Sequence, residues 1–228
     1  MSLKPIVMDL ETSGLDIEKS GIWQIGAIDL NTMEEFLEEG RIDDEDIIDE
    51  ASLIVIGKTE EQLRDKNKQS QKELLEKFFK WISEKAKVKI FLCQNPQFDV
   101  SWLYLRSQKY GLKKPFNYRA FDLHTIAQLV HQKINGEFLF KIKGSDMNLG
   151  RIIEFVGMED ERIKMRNSEV VEEGKSHNAL EDSKLTGECF SRLVYGKKLF
   201  SKYDKFEIPE VLKKWILKKR LIVSHLNQ

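Results

Sequence analysis

Asp9 and Glu11 stand two residues apart in Ile6-Val7-Met8-Asp9-Leu10-Glu11-Thr12-Ser13-Gly14-Leu15, an apolar run of the buried-strand kind that breaks at Ser13-Gly14. On a strand this spacing puts both carboxylates on one face. Side by side they repel, and burying them is costly unless a cation or a proton lies between them. A divalent metal is the natural compensation; the alternative is one carboxylate capping the turn and the other solvated. A second chemical pair lies far downstream, in Lys175-Ser176-His177-Asn178-Ala179-Leu180-Glu181-Asp182. Asn178 with Glu181 three residues on has capping-box spacing, which makes Asn178 the N-cap, His177 N′ and Asp182 N4. N′ and N4 normally meet as a hydrophobic staple, so here an imidazole and a carboxylate are expected to meet at a helix entrance.

Asp99 is the fourth acid. Val88-Lys89-Ile90-Phe91-Leu92-Cys93 reads as a strand ending at Gln94-Asn95-Pro96, and Pro96 suits the first turn of a following helix that runs through Phe98, Tyr104 and Leu105. Asp99 then sits in the first turn after a buried strand, where open α/β sheets place ligands. Four hard oxygen donors without a Cys or His cluster suit Mg²⁺ or Mn²⁺ better than zinc. Two such ions about 3.5–4 Å apart clamp the entering and leaving oxygens of a phosphoryl displacement, and a histidine titrating near neutrality can serve as the base. Phosphodiester hydrolysis follows from these parts.

The elements that must position them read as an α/β chain. Ile22–Leu30 and Glu35–Ile42 form strands joined by an Asn31-Thr32 turn, giving a meander beside the first strand. Gln71–Lys85 carries apolar Leu74, Leu75, Phe78, Phe79 and Ile82 on one helical face. A further helix is expected from Leu123 to Gln132 and a short one over Leu149–Val156. Asn135–Asp146 reads as a loop, and Met158–Gly174 as a polar, mobile segment.

Composition bounds the rest. With 228 residues, 41% of them hydrophobic, the chain fits one substantial α/β domain and an appendage. Its 37 basic and 38 acidic residues exclude a global positive field, so any nucleic-acid footprint is local. Residues 31–66 are strongly acidic, 13 acids against 4 bases, and read mostly as a solvated face. Residues 196–228 are basic, 9 against 3, and read as a terminal helix or a phosphate-contacting arm. Cys93 and Cys189 lack metal-ligand spacing and read as core thiols of a reducing compartment. No leader or membrane-length apolar run is visible, and a soluble cytoplasmic protein is expected.

Asp9-Leu10-Glu11-Thr12, Asn95 with Phe98-Asp99, and His177 through Asp182 together resemble the three motifs of the DEDDh 3′–5′ exonucleases, a ribonuclease H-like family that includes polymerase proofreading subunits and RNA-trimming nucleases. Glu50-Ala51 through Gly57-Lys58-Thr59 and Phe121-Asp122 extend the resemblance. It implies a ribonuclease H-like mixed five-stranded sheet flanked by helices, with an exonuclease domain over 1–195 and a basic helical extension over 196–228. It also implies two Mg²⁺ or Mn²⁺ ions on Asp9, Glu11, Asp99 and Asp182, with His177 deprotonating the water. Thr12, Ser13, Gly14 and Leu15 would meet the 3′-terminal nucleotide. Phe98 would wall its pocket or else be a core aromatic, and Asn95 would hold the Asp99 segment or touch substrate. Ser13 stands where many relatives carry a second threonine, and Cys93-Gln94 replaces a small residue and a histidine.

The expected activity is stepwise release of nucleoside 5′-monophosphates from the 3′ end of nucleic acid, single-stranded because a threaded end reaches a recessed site and every base offers a face for stacking. DNA is favoured with RNA open, since that choice rests on contacts to the sugar 2′ position that the sequence does not reveal. A polymerase or another replication, repair or RNA-processing protein is a candidate partner, and no membrane is expected. Two alternatives remain at this point. One is a phosphatase with an aspartyl nucleophile at Asp9, which Glu11 fits poorly. The other is a catalytically silent nucleic-acid-binding or scaffold module of the same fold.

Overall fold

A computed structural model of the chain describes residues 3–166 and 169–216, without the side chains of Met165 and Arg166. The part of the basic extension beyond residue 216 lies outside the described residues. The elements are, in order, β1 (Ile6–Thr12), β2 (Ile22–Asp29), β3 (Glu35–Glu39), α1 (Glu50–Ile56), α2 (Glu60–Leu63), α3 (Gln71–Lys85), β4 (Phe91–Cys93), α4 (Pro96–Lys109), β5 (Ala120–Asp122), α5 (Leu123–Asn135), β6 (Phe140–Lys141), β7 (Gly144–Ser145), α6 (Leu149–Phe155), β8 (Lys164–Arg166), β9 (Glu169–Glu172) and α7 (Ala179–Tyr195). Two compact units result, one of residues 1–121 with 161–183, the other of 122–160 with 184–228.

The first unit is built on a mixed sheet of order β3-β2-β1-β4-β5. β1 runs antiparallel to β2 and parallel to β4, and β2 antiparallel to β3. The parallel pair needs the long crossover through α1, α2 and α3, as parallel strands always do. β2 is buried along its whole length, its polar Gln24 and Asp29 included, whereas edge strand β3 begins with an exposed glutamate and alternates. α3 starts at a complete capping box, Ser70 with Glu73, and buries Leu74, Leu75, Phe78, Phe79 and Ile82 against the sheet's Ile6, Met8, Ile25, Phe36 and Phe91.

Several expectations change. β3 stops at Glu39 because Arg41 and Ile42 turn their N–H groups to the carbonyls of Gln69 and Leu63. β4 is only Phe91–Cys93. Within 135–146, expected as a loop, β6 and β7 pair as a small hairpin, and within 158–174 β8 and β9 do the same. The acidic segment is not all solvated either. Asp46 is 3% exposed and accepts from the backbone of Asp43 at 2.9 Å, from Gln71 at 2.9 Å and from Arg106 at 3.2 Å. Both cysteines are buried and neither is in a disulfide, as expected for core thiols.

In the second unit, Asp122 caps α5, its carboxylate accepting from the N–H groups of His124 and Thr125, and Gly136 closes the helix in the left-handed conformation. α5 extends to Asn135, one turn beyond the expected Gln132. No helix among the described residues is long and apolar enough to cross a membrane.

Candidate active site

Strand β1 delivers the first two acids. In its register with β2, Asp9 faces Gly26 and Glu11 faces Gln24, and the pairing shifts between Glu11 and Thr12. The turn that follows is fixed by its own polar groups. The Thr12 hydroxyl donates to the Gly14 carbonyl at 2.7 Å, the Ser13 hydroxyl donates to the Ile47 carbonyl at 2.8 Å, and that same oxygen accepts the Gly21 N–H at 2.9 Å. The Asp49 N–H donates to the Ser13 carbonyl at 2.7 Å, so the loop leading into α1 is fastened to the turn.

Asp99 comes from the first turn of α4, with Pro96 at the start of that helix and Asn95, at φ 66°, as its left-handed N-cap. The third contribution arrives at the entrance of α7. Asn178 Oδ1 accepts the N–H groups of Leu180 and Glu181 at 3.1 and 3.2 Å, which makes it the N-cap expected from its spacing. His177 Nδ1 lies 3.3 Å from Asp182 Oδ2. The N′ and N4 side chains thus meet, as a polar staple. The backbone N–H of His177 donates to the Val55 carbonyl of α1 at 3.0 Å, and its Nε2 lies 3.3 Å from the Ile163 carbonyl oxygen.

The structure brings Asp9, Glu11, Asp99, Asp182 and His177 into one electrostatic neighbourhood. Glu11, Asp99 and Asp182 are 7%, 2% and 4% exposed. Burial, then the charges of Asp99, Asp182 and Glu11, hold the Asp9 carboxyl well above the usual carboxylate range, although part of it reaches solvent. Burial and then Asp182 push Glu11 up to about 8. Asp99 is pushed up to about 8 by burial, against backbone N–H donation from Asp99 itself and Leu10. For His177, burial disfavours the imidazolium, but the hydrogen bond and charge of Asp182 outweigh it, so the net shift is upward.

The site is short of positive charge. Glu11 Oε1 and Asp182 Oδ1 are buried without a hydrogen-bond partner, each an orphaned carboxyl oxygen. Glu11, His177 and Asp182 offer ligand atoms that all lie within 4.8 Å of one another. Hard carboxylate oxygens of this kind fit Mg²⁺ or Mn²⁺. One cation is supplied by the chain itself: Arg162 Nη1 lies 3.1 Å from Asp182 Oδ2. Sequence reasoning missed Arg162, because it stands in a polar stretch with no periodicity or motif to mark it.

Beside the acids opens a cleft of about 340 Å³ lined by Leu10, Glu11, Thr12, Leu15 and Phe98 on one side and by Asp49, Ala51, Ser52, Val55 and Ile56 on the other. Leu15 is 77% exposed at its rim. Phe98 lines the cleft and also packs on Trp102, ring centroids 5.8 Å apart. Ser13, Gly14 and Asn95 are not among the lining residues; they shape the turn and the α4 entrance.

A central mixed five-stranded sheet flanked by helices, with acids converging from β1, α4 and α7, is the arrangement of a ribonuclease H-like fold. The sequence matches the family model described as exonuclease (RNase_T) over residues 6–190, and the chain belongs to that family. No curated protein matches the sequence. Among solved structures, cell-death related nuclease 4 (CRN-4) is 14% identical with a TM-score of 0.62, the match covering 85% of this chain and 64% of that one. The nuclease domain of 3′hExo, a DEDDh family member bound to rAMP, is 17% identical with a TM-score of 0.56, covering 90% of this chain and 95% of that domain. E. coli exonuclease I in complex with a dT13 oligonucleotide is 14% identical with a TM-score of 0.59, covering 84% of this chain and 41% of that one.

Proposed function

We propose that the protein is a metal-dependent 3′–5′ exonuclease that releases nucleoside 5′-monophosphates from single-stranded nucleic acid, DNA ahead of RNA. The observation that carries this reading is the convergence of Asp9, Glu11, Asp99 and Asp182 with two buried, unpartnered carboxylate oxygens among them. These four side chains would hold two Mg²⁺ or Mn²⁺ ions, which supply activation of water and neutralisation of charge on the phosphate when bound. His177 is the general base: it stands at the open edge of the acid cluster, a quarter of its side chain exposed, where it can take a proton from water. The cleft between Leu15, Phe98 and the α1 side chains takes the terminal nucleotide, its apolar walls offering stacking surface.

Digestion of matched 5′-labelled single-stranded DNA and RNA oligomers with Mg²⁺, Mn²⁺ or EDTA tests this. A metal-dependent ladder shortening from the 3′ end, with the faster oligomer naming the substrate class, is the expected result. Intact oligomers under every metal condition would leave a nucleic-acid-binding module of the same fold.

A further inference from the structure

Arg162 is held firmly for a residue outside the expected site. Its segment is tied to the approach to His177, the Ile163 N–H donating to the Lys175 carbonyl at 3.0 Å and the Lys175 N–H to the Glu161 carbonyl at 2.9 Å. A Cβ on Gly174 would come within 2.5 Å of the Arg162 carbonyl carbon, so this approach requires glycine at 174. The outcome is a guanidinium 12% exposed, bonded at 3.1 Å to a carboxylate 5% exposed. The oxygen it takes, Asp182 Oδ2, is also the one that faces His177. The other oxygen, Oδ1, is buried without a partner.

A guanidinium at this distance and a divalent ion on Glu11 and Asp182 repel each other strongly in a partly buried site. Both therefore draw on one carboxylate. A phosphodiester relieves the conflict, because its non-bridging oxygens match the planar fork of an arginine better than a single carboxylate oxygen does. We infer that Arg162 competes with divalent metal for Asp182 and passes to a phosphate oxygen of the bound nucleic acid, so that metal and phosphate bind cooperatively. This rests on the metal-centre reading above. By linkage, each ligand tightens the other by the same factor.

The test is Mn²⁺ binding to the full-length protein by calorimetry and electron paramagnetic resonance, with and without adenosine or thymidine 5′-monophosphate. Arg162→Gln is expected to bind Mn²⁺ alone about tenfold more tightly than wild type. The further tightening that nucleotide brings to wild type should shrink in that variant. Arg162→Lys, which keeps the charge but not the fork, should bind Mn²⁺ alone about as wild type does. Equal or weaker Mn²⁺ binding by Arg162→Gln, in a wild type whose binding is lost on Asp182→Asn, would overturn the inference while leaving the metal centre standing. So would an Arg162→Lys protein that binds Mn²⁺ alone as tightly as Arg162→Gln. Wild-type Mn²⁺ binding that Asp182→Asn does not weaken would overturn both.

Discussion

A Cβ on Gly26 would lie 2.1 Å from the carbonyl carbon of Ala179 and 2.1 Å from the Leu180 nitrogen. Strand β2 and the entrance of α7 touch backbone to backbone at this point. Gln24 and Ser183 hold the contact on either side, the Ala179 N–H donating to Gln24 Oε1 at 2.8 Å and the Ser183 hydroxyl to the Gly26 carbonyl at 3.0 Å. Because Gly26 is paired with Asp9 in the sheet, the missing side chain brings the helix that carries Asp182 down beside the strand that carries Asp9. Gly26→Ala should therefore separate the two acids. It is expected to cost about 1–3 kcal/mol in urea unfolding and to weaken the rise in Tm on adding Mn²⁺. A variant as stable and as metal-responsive as wild type would show that the approach is not required.

The site is more legible in the sequence than its supports, for a physical reason. Carboxylates at strand and helix ends are costly, so Asp9, Glu11, Asp99 and Asp182 advertise themselves by residue type against an apolar background. The meeting of His177 with Asp182 can be read from local helix-start geometry alone. Arg162 cannot, since what places it is the pairing of two short strands and a close approach at Gly174, neither of which leaves a periodic trace. Asp46 is hidden in the same way. A local charge count assigns it to a solvated face, whereas its partner Arg106 lies far along the chain on another element. The small hairpins β6–β7 and β8–β9 have strands too short for alternation to be seen.

The buried acids make stability depend on pH and metal together. Glu11 and Asp99 are pushed up to about 8, burial being the main cause in both. A carboxyl whose folded value is raised contributes stability that is fully present below its unfolded value of ~4 and is lost as pH rises through the folded one. Without metal, the protein should thus become less stable between pH ~4 and 8, and the rise in Tm produced by Mg²⁺ or Mn²⁺ should grow over the same window. Glu11→Gln is expected to raise the metal-free Tm at pH 8 by roughly 2–8 °C and to diminish the metal response. Calorimetric scans at pH 6 and 8, with and without metal, check both signs.

His177 can be separated from the carboxylates by what it does to turnover alone. In the proposed role of general base it must be unprotonated, while Asp182 favours its protonated form. Activity should therefore rise with pH through a value above that of an ordinary histidine. His177→Ala should lower kcat by about 10²–10⁴-fold while Mn²⁺ binding by calorimetry stays close to wild type. Loss of metal binding in this variant would reassign His177 as a ligand, a role its ring nitrogens could reach from beside Glu11 and Asp182.

In the second unit, Arg192 and Glu188 form an ion pair at 2.6 Å with neither side chain exposed to any measurable degree. Such a pair persists only if its remaining polar atoms are satisfied, and here the backbone does it. Arg192 Nη1 donates to the Val156 carbonyl at 3.2 Å and Nη2 to the carbonyls of Tyr203 and Phe206 at 3.1 Å each. Glu188 Oε2 accepts the N–H groups of Leu199 and Phe200 at 2.8 and 3.0 Å. The segment after α7 is thus wound around a buried charge pair instead of trailing from the helix. Arg192→Met leaves Glu188 as an uncompensated buried anion and should cost about 3–5 kcal/mol in urea unfolding. Arg192→Met combined with Glu188→Leu removes both charges and should cost clearly less than the sum of the single changes. Truncation after Tyr195 removes the Tyr203 and Phe206 carbonyls and the Leu199 and Phe200 N–H groups that satisfy the pair, so it should destabilise the chain like the single substitution. A truncated chain that unfolds at the wild-type urea midpoint would show that the extension contributes nothing to this unit.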